Sequence, residues 1–252
     1  MVMFSRAVRI AAAIALAGTA ALTFAQQVYK VGSTPTGVPF TFLDVKTNSI
    51  QGAMVDIINA IGQDQGFKTQ VEATPFAALI PSLTTNRIDI IAAAMLATSQ
   101  RRETIDFSDP VFPYPEGLVV QADDPKDYRS LNDLKDEVIG VQAGTVYVDF
   151  LKKNGGFKEI KIYDSLADIL RDLSLGRIKA GVGDRPILAY QLSQNKDFKA
   201  KLARNYQPGM SGSIGIGVRK GDKEMLDKIN KGLAKIKSDG TLDRILDKWS
   251  LK

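Results

Sequence analysis

The segment MLATSQRRETIDFSDP (95–110) carries the most chemistry for its length. An apolar run ends in it, and Thr98 stands where a helix N-cap belongs. That leaves Ser99, Gln100 and Arg101 in the first turn, with backbone N–H groups free to meet an anion. A cation in a first turn opposes the helix dipole. Arg101 offsets that cost if its guanidinium grips a carboxylate through paired hydrogen bonds; as a solvated arginine beside Arg102 and Glu103 it contributes little. In GVQAGTVYVDF (140–150) Thr145 is the N-cap of a second helix, aiming its hydroxyl and the Val146 amide at an anion or serving only that helix. In AGVGDRP (180–186) Asp184 follows a buried strand and precedes a helix with Pro186 in its first turn. It either caps that helix or offers its carboxylate to an ammonium.

The elements that must position these residues read as two similar series. The first has strands at 28–32 and 88–94, a helix with Met54, Ile57, Ile58 and Ile61 on one stripe stopping at Gly66, and a helix over 76–85. A break at GLVVQADDP opens the second: strands at 138–142, 161–163 and 180–182, with helices over 146–153, from Ser165 and over 185–194. One more strand in GSIGIGVRKGD and two helices, 223–238 and 241–248, close the chain. Short apolar strands alternating with helices predict an α/β protein with mostly parallel strands. Extended segments near Gly117 and Ser213 join the two series, and ligands of open α/β sheets bind at the carboxyl ends of strands. The cleft between the series is where both sets of strand ends meet.

Composition removes much of catalysis. The chain has no histidine and no cysteine, so the commonest metal ligands, the commonest general base and the Ser-His-Asp and Cys-His arrangements are missing. No cofactor or metal is expected. GMSGSIGIG lacks the lysine of a phosphate loop and reads as a strand. Residues 1–25 combine Arg6 and Arg9, the run IAAAIALAGTAALTF and a small-residue exit at Ala25, the pattern of a cleaved secretory signal peptide. Export without a cysteine for lipidation points to a periplasm. The net charge of +5, less those two arginines, leaves +3 spread over both signs, and no basic-aromatic interleaving marks a nucleic-acid partner.

VGSTPTGVPFTF, ALIPSLTTNRIDIIAAAMLATSQRRETIDFSDP, RSLNDLKDEVIGVQAGTVYVDF, YDSLADILRDLSLGRIKAGVGDRP and IGVRKGDKEMLDKINKGLAKIKSDGTLDRILDKW occur in this order. Through them the chain resembles family 3, polar amino acid type, solute-binding proteins of ABC importers. The resemblance implies a type II periplasmic-binding-protein fold, a Venus flytrap whose hinge lies between lobe I (26–114 and 213–252) and lobe II (115–212). It implies a monomer that captures an amino acid or related solute and hands it to a membrane permease. Carried over by position, Arg101 holds the ligand carboxylate with Thr145 and the Val146 amide, Asp184 receives the ammonium, and Phe76 packs on the side chain. Thr34 and the Ala94 carbonyl also fall at the ligand. Two departures stand out: Gly37 replaces an aromatic wall, and Leu96 replaces a hydroxyl that helps hold the ammonium. Relatives that are cyclohexadienyl or arogenate dehydratases leave an enzyme as the alternative, with Glu116, Asp184 or Glu72 as its acid or base. A ligand-sensing subunit of a membrane receptor is a third reading.

Overall fold

The computed structural model describes residues 26–252; the signal-peptide expectation lies outside the described residues. The chain runs through β1 (Val28–Ser33), a small meander of β2 (Thr36–Gly37), β3 (Thr41–Asp44) and β4 (Ser49–Gln51), then α1 (Ala53–Gln65) and β5 (Lys68–Ala73). A 3-10 turn (Phe76–Ala78) leads into α2 (Leu79–Thr84), followed by β6 (Ile90–Leu96), α3 (Ser99–Thr104) and β7 (Ile105–Phe107). Next come β8 (Phe112–Gln121), β9 (Val138–Gln142), α4 (Val146–Asn154), β10 (Glu159–Tyr163), α5 (Leu166–Ser174), β11 (Ala180–Asp184) and α6 (Arg185–Gln194). The chain ends with β12 (Ala200–Leu202), β13 (Ser211–Arg219), α7 (Lys223–Ser238) and α8 (Thr241–Lys248).

The strands follow one path, β10-β9-β11-β8-β13-β6-β1-β5, with β12 on β8 and β7 on β13. At one end β5, β1 and β6 are parallel; at the other β10, β9 and β11 are parallel. The two long strands between them are antiparallel to each other and serve both ends. Phe112–Pro115 of β8 pair with β13, whereas from Glu116 onward β8 pairs with β11. Likewise β13 pairs with β8 over Ser211–Ile214 and with β6 from Ile214 onward. Two parallel α/β halves joined by two crossing strands make the two-lobed fold that the doubled pattern implies.

The helices form because their apolar residues repeat at the helical period. Met54, Ile57, Ile58 and Ile61 of α1 are all buried, and the helix ends at Gly66 with φ 76°, a left-handed conformation that glycine adopts without strain. Leu166, Ile169, Leu170 and Leu173 of α5 do the same in the other half. Each such side chain contributes on the order of 1.5–3 kcal/mol on leaving water.

Three differences from the sequence reading have local causes. The strand expected over 88–94 is shifted to Ile90–Leu96, because the Asp89 carboxylate is taken by the Lys30 N–H and by Arg219 and fixes the entry. The helix expected over 76–85 opens as a 3-10 turn after Pro75. The β2-β3-β4 meander has strands of two to four residues, too short for periodicity to reveal.

Candidate functional site

Arg101 is buried, not solvated. The Thr98 hydroxyl caps α3 by accepting the Arg101 N–H at 3.3 Å, and the guanidinium then turns inward. Nη1 donates to Leu96 O at 2.9 Å and Nη2 to Gly144 O at 3.0 Å, while Cζ lies 5.5 Å from the centre of the Phe76 ring. The expected dipole penalty is minor, because α3 has only six residues and Arg101 also belongs to its last turn. Burial lowers the Arg101 pKa to about 10, with Asp184 acting against it, so the side chain stays charged at neutral pH. The Gly144 contact bridges the halves at a place of close approach. A Cβ at Gly144, where φ is 73°, would come within 2.6 Å of Ala77 Cα.

Asp184 ends β11 and occupies the N-cap position of α6, yet its side chain makes no cap bond. It accepts the Tyr147 hydroxyl at 2.9 Å instead. Burial pushes its pKa up to about 6, against the opposing pull of Tyr147 and the Arg101 charge. Among the described residues Arg101 and Asp184 do not form an ion pair with each other, though each charge favours the other's charged form. Two such charges can hold a molecule carrying both signs.

The other expected residues divide. Thr145 is the N-cap of α4 by position, and its Oγ1 donates to Gln142 O at 2.8 Å, closing the turn before the helix. Val146 opens α4, half-buried. Phe76 is half-buried, packed against the core that includes Leu79 and Leu83 and lying against Arg101. Thr34, Phe76, Ala94 and Asp184 line one enclosed chamber with Thr36, Gly37, Ala93, Gln142, Leu166 and Ile187. Its free space is about 10 Å³, room for a single water. Thr34, Thr36 and Phe76 also line an outer pocket of about 310 Å³ with Pro35, Pro75, Ala77, Ala143 and Asp164. Ala94 has φ 50° and lies where the β6–β13 register shifts, so its peptide groups leave the ladder beside the chamber. Leu96 is not in the chamber lining; its side chain packs over Gly212, and its carbonyl serves Arg101.

Sequence reasoning missed Tyr147, which lies in the first turn of the helix that Thr145 starts and whose phenol therefore reaches the strand end holding Asp184. Of the acid or base candidates, Glu72 lies at the surface, 3.7 Å from Lys30. Glu116 is buried and its oxygens accept the Tyr206 hydroxyl and the Met210 N–H; burial raises its pKa.

Residues 29–252 match the family of bacterial extracellular solute-binding proteins, family 3. The chain belongs to that family. One similar member is the arginine-binding periplasmic protein of Mannheimia haemolytica, 32% identical over 218 residues, which cover 85% of this chain and 88% of that protein. Among solved structures, an ancestral arginine-binding protein bound to glutamine is 33% identical with a TM-score of 0.81, covering 90% of this chain and 99% of its own. An ancestral amino acid-binding protein described as a precursor of cyclohexadienyl dehydratase is 28% identical with a TM-score of 0.79, covering 88% of this chain and 94% of its own. The chain is thus a family 3 solute-binding protein with a two-lobed fold. No helix among the described residues is long and apolar enough to cross a membrane.

Proposed function

We propose that this protein is the substrate-binding component of an ABC importer, exported to the periplasm through residues 1–25, and that it captures an amino acid there. The observation that carries the reading is the pair of buried, unpaired opposite charges: Arg101 for the ligand carboxylate and Asp184 for its ammonium. Lobe I takes 26–114 and 213–252, lobe II takes 115–212, and β8 and β13 form the hinge. Ligand docks on lobe I through Arg101; closure then brings Asp184, Tyr147 and the Val146 amide from lobe II. Because the closed chamber leaves about 10 Å³, the lobes part for the ligand, and its carboxylate takes over guanidinium N–H groups now held by Gly144 O. Charge-assisted hydrogen bonds contribute about 1.5–3 kcal/mol each, so three or four, less ordering costs, reach the roughly 8 kcal/mol of micromolar binding. One chain supplies both grips, so a monomer suffices, and the closed form is what the permease recognises.

The relatives named as amino-acid-binding proteins support binding over turnover. So does the position of the acid and base candidates: of the three, only Asp184 lines the chamber.

A thermal-shift panel of the L-amino acids tests the reading. Ligand at a hundred times its Kd adds about 2.7 kcal/mol, which raises the melting temperature by several degrees in a chain of this size. Arg101→Ala is expected to abolish the shift. An Arg101→Ala protein that keeps every shift contradicts the carboxylate clamp, and conversion of the bound ligand on prolonged incubation favours an enzyme.

A further inference from the structure

Asp184 alone is a poor seat for an ammonium, which has three N–H donors to place. One oxygen of Asp184 already accepts the Tyr147 hydroxyl. The side chain at position 96 adds no acceptor, being leucine. Besides the Ala94 carbonyl, a nearby group not yet used is Tyr114, on the hinge strand β8.

Tyr114 does not line the chamber of the closed form, but three observations bring it to the Asp184 carboxylate. First, Asp184 lies directly opposite Glu116 in the β11–β8 pair, and opposite residues of an antiparallel pair share a face. Tyr114 is two residues from Glu116, so it projects from that same face, one pleat toward lobe I. Second, the residue opposite Tyr114 on β13 is Gly212, whose missing side chain leaves space that Leu96 enters from the next strand, 3.2 Å from where a Cβ would be. Tyr114 and the Leu96 side chain therefore flank the same glycine, across two strands of the same sheet. Third, Tyr114 is 1% exposed and its hydroxyl has no hydrogen-bond partner among the described residues, although buried hydroxyls are almost always paired. Phe40 holds the ring edge-on at 5.2 Å between centroids. The Asp184 charge reaches the phenol and, after burial, is the largest influence raising its pKa, so it stays protonated with lone pairs to offer.

We propose that the Tyr114 hydroxyl is a ligand contact: it accepts a hydrogen bond from the ligand ammonium beside Asp184, supplying the hydroxyl that Leu96 lacks. This rests on the amino-acid reading given above. It makes the hinge strand itself part of the binding surface, so that the ammonium touches both lobe II and the segment about which the lobes turn.

The test is calorimetric titration of Tyr114→Phe with the tightest-binding of the twenty L-amino acids and with the same compound lacking its α-amino group. Loss of one hydrogen bond to a charged group is expected to weaken the amino acid about ten- to a hundredfold and leave the des-amino compound within about twofold of wild type. The melting temperature of the unliganded protein should be unchanged or higher, because the substitution removes an unpaired buried hydroxyl and no packing. Equal losses for both compounds, or an undiminished affinity for the amino acid, overturn the proposal; if Arg101→Ala and Asp184→Asn still abolish binding, the amino-acid reading survives that result. A wild-type protein that binds none of the twenty overturns the reading itself.

Discussion

At the scale of single residues the site is governed by burial of charge. Asp184 has a pKa of about 6 against an ordinary 3.8, with desolvation as the main cause. An acid whose pKa rises on folding binds its proton more tightly in the native state. Its contribution to stability is therefore complete below the unfolded value of 3.8 and is lost as pH rises through about 6. At neutral pH the ionised Asp184 costs the unliganded protein about 3 kcal/mol by that linkage, so Asp184→Asn should stabilise the empty protein at pH 7 to 8 in urea titrations and not at pH 4. Binding has the opposite sign, because an ammonium requires the carboxylate ionised. Affinity measured by calorimetry is expected to be flat above pH 7 and to fall below pH 6, approaching tenfold per pH unit, while a flat profile down to pH 5 would remove Asp184 from the ammonium site. Tyr147→Phe, which deletes a donor to the carboxylate, should move that fall to higher pH.

At the scale of elements, what matters is how strand ends and helix starts meet. Arg101 and Asp184 were legible because each sits at a junction where strand gives way to helix, and such junctions carry composition signals: a capping Thr98 for one, a following Pro186 for the other. The stripes of α1 and α5 were legible for the same local reason. Tyr147 and Tyr114 were not. Their neighbours are set by tertiary packing: Tyr114 faces Gly212 on the neighbouring strand and Tyr147 reaches from its helix to Asp184, 37 residues on, and no local periodicity encodes either. The bond from the Thr145 hydroxyl to the turn carbonyl of Gln142 was equally invisible, because a threonine at a helix start has several backbone partners within reach. Glu116 belongs to this scale too. Its carboxylate ties β8 to the segment entering β13 through Tyr206 and the Met210 N–H, leaving those donors stranded if it is removed. Glu116→Ala should lower the unfolding free energy by about 2–4 kcal/mol in urea titrations; a loss below about 0.5 kcal/mol would mean that the hinge does not depend on it.

For the whole molecule the question is closure. The halves touch at Gly144 against Ala77 and at Arg101 against Gly144 O, and both contacts lie at the cleft rather than in either core. A methyl group at Gly144 meets Ala77 Cα at 2.6 Å and has an unfavourable φ of 73° besides. Gly144→Ala is expected to weaken ligand binding about tenfold or more, since blocking closure removes the lobe II contacts. It should also reduce the ligand-induced decrease in radius of gyration seen by solution X-ray scattering. Unaltered compaction in that variant would place the closing contact elsewhere.

The central claim is that one ligand is held at once by its carboxylate on Arg101 and its ammonium on Asp184. The most direct measurement is a calorimetric comparison of the best-binding L-amino acid with its decarboxylated amine and with its des-amino acid on the wild-type protein. Each truncation leaves one buried charge without its partner, so both truncated compounds should bind at least about a hundredfold more weakly than the parent. If either binds as tightly as the parent, the residue assigned to the missing group does not hold the ligand, and the two-ended clamp is wrong.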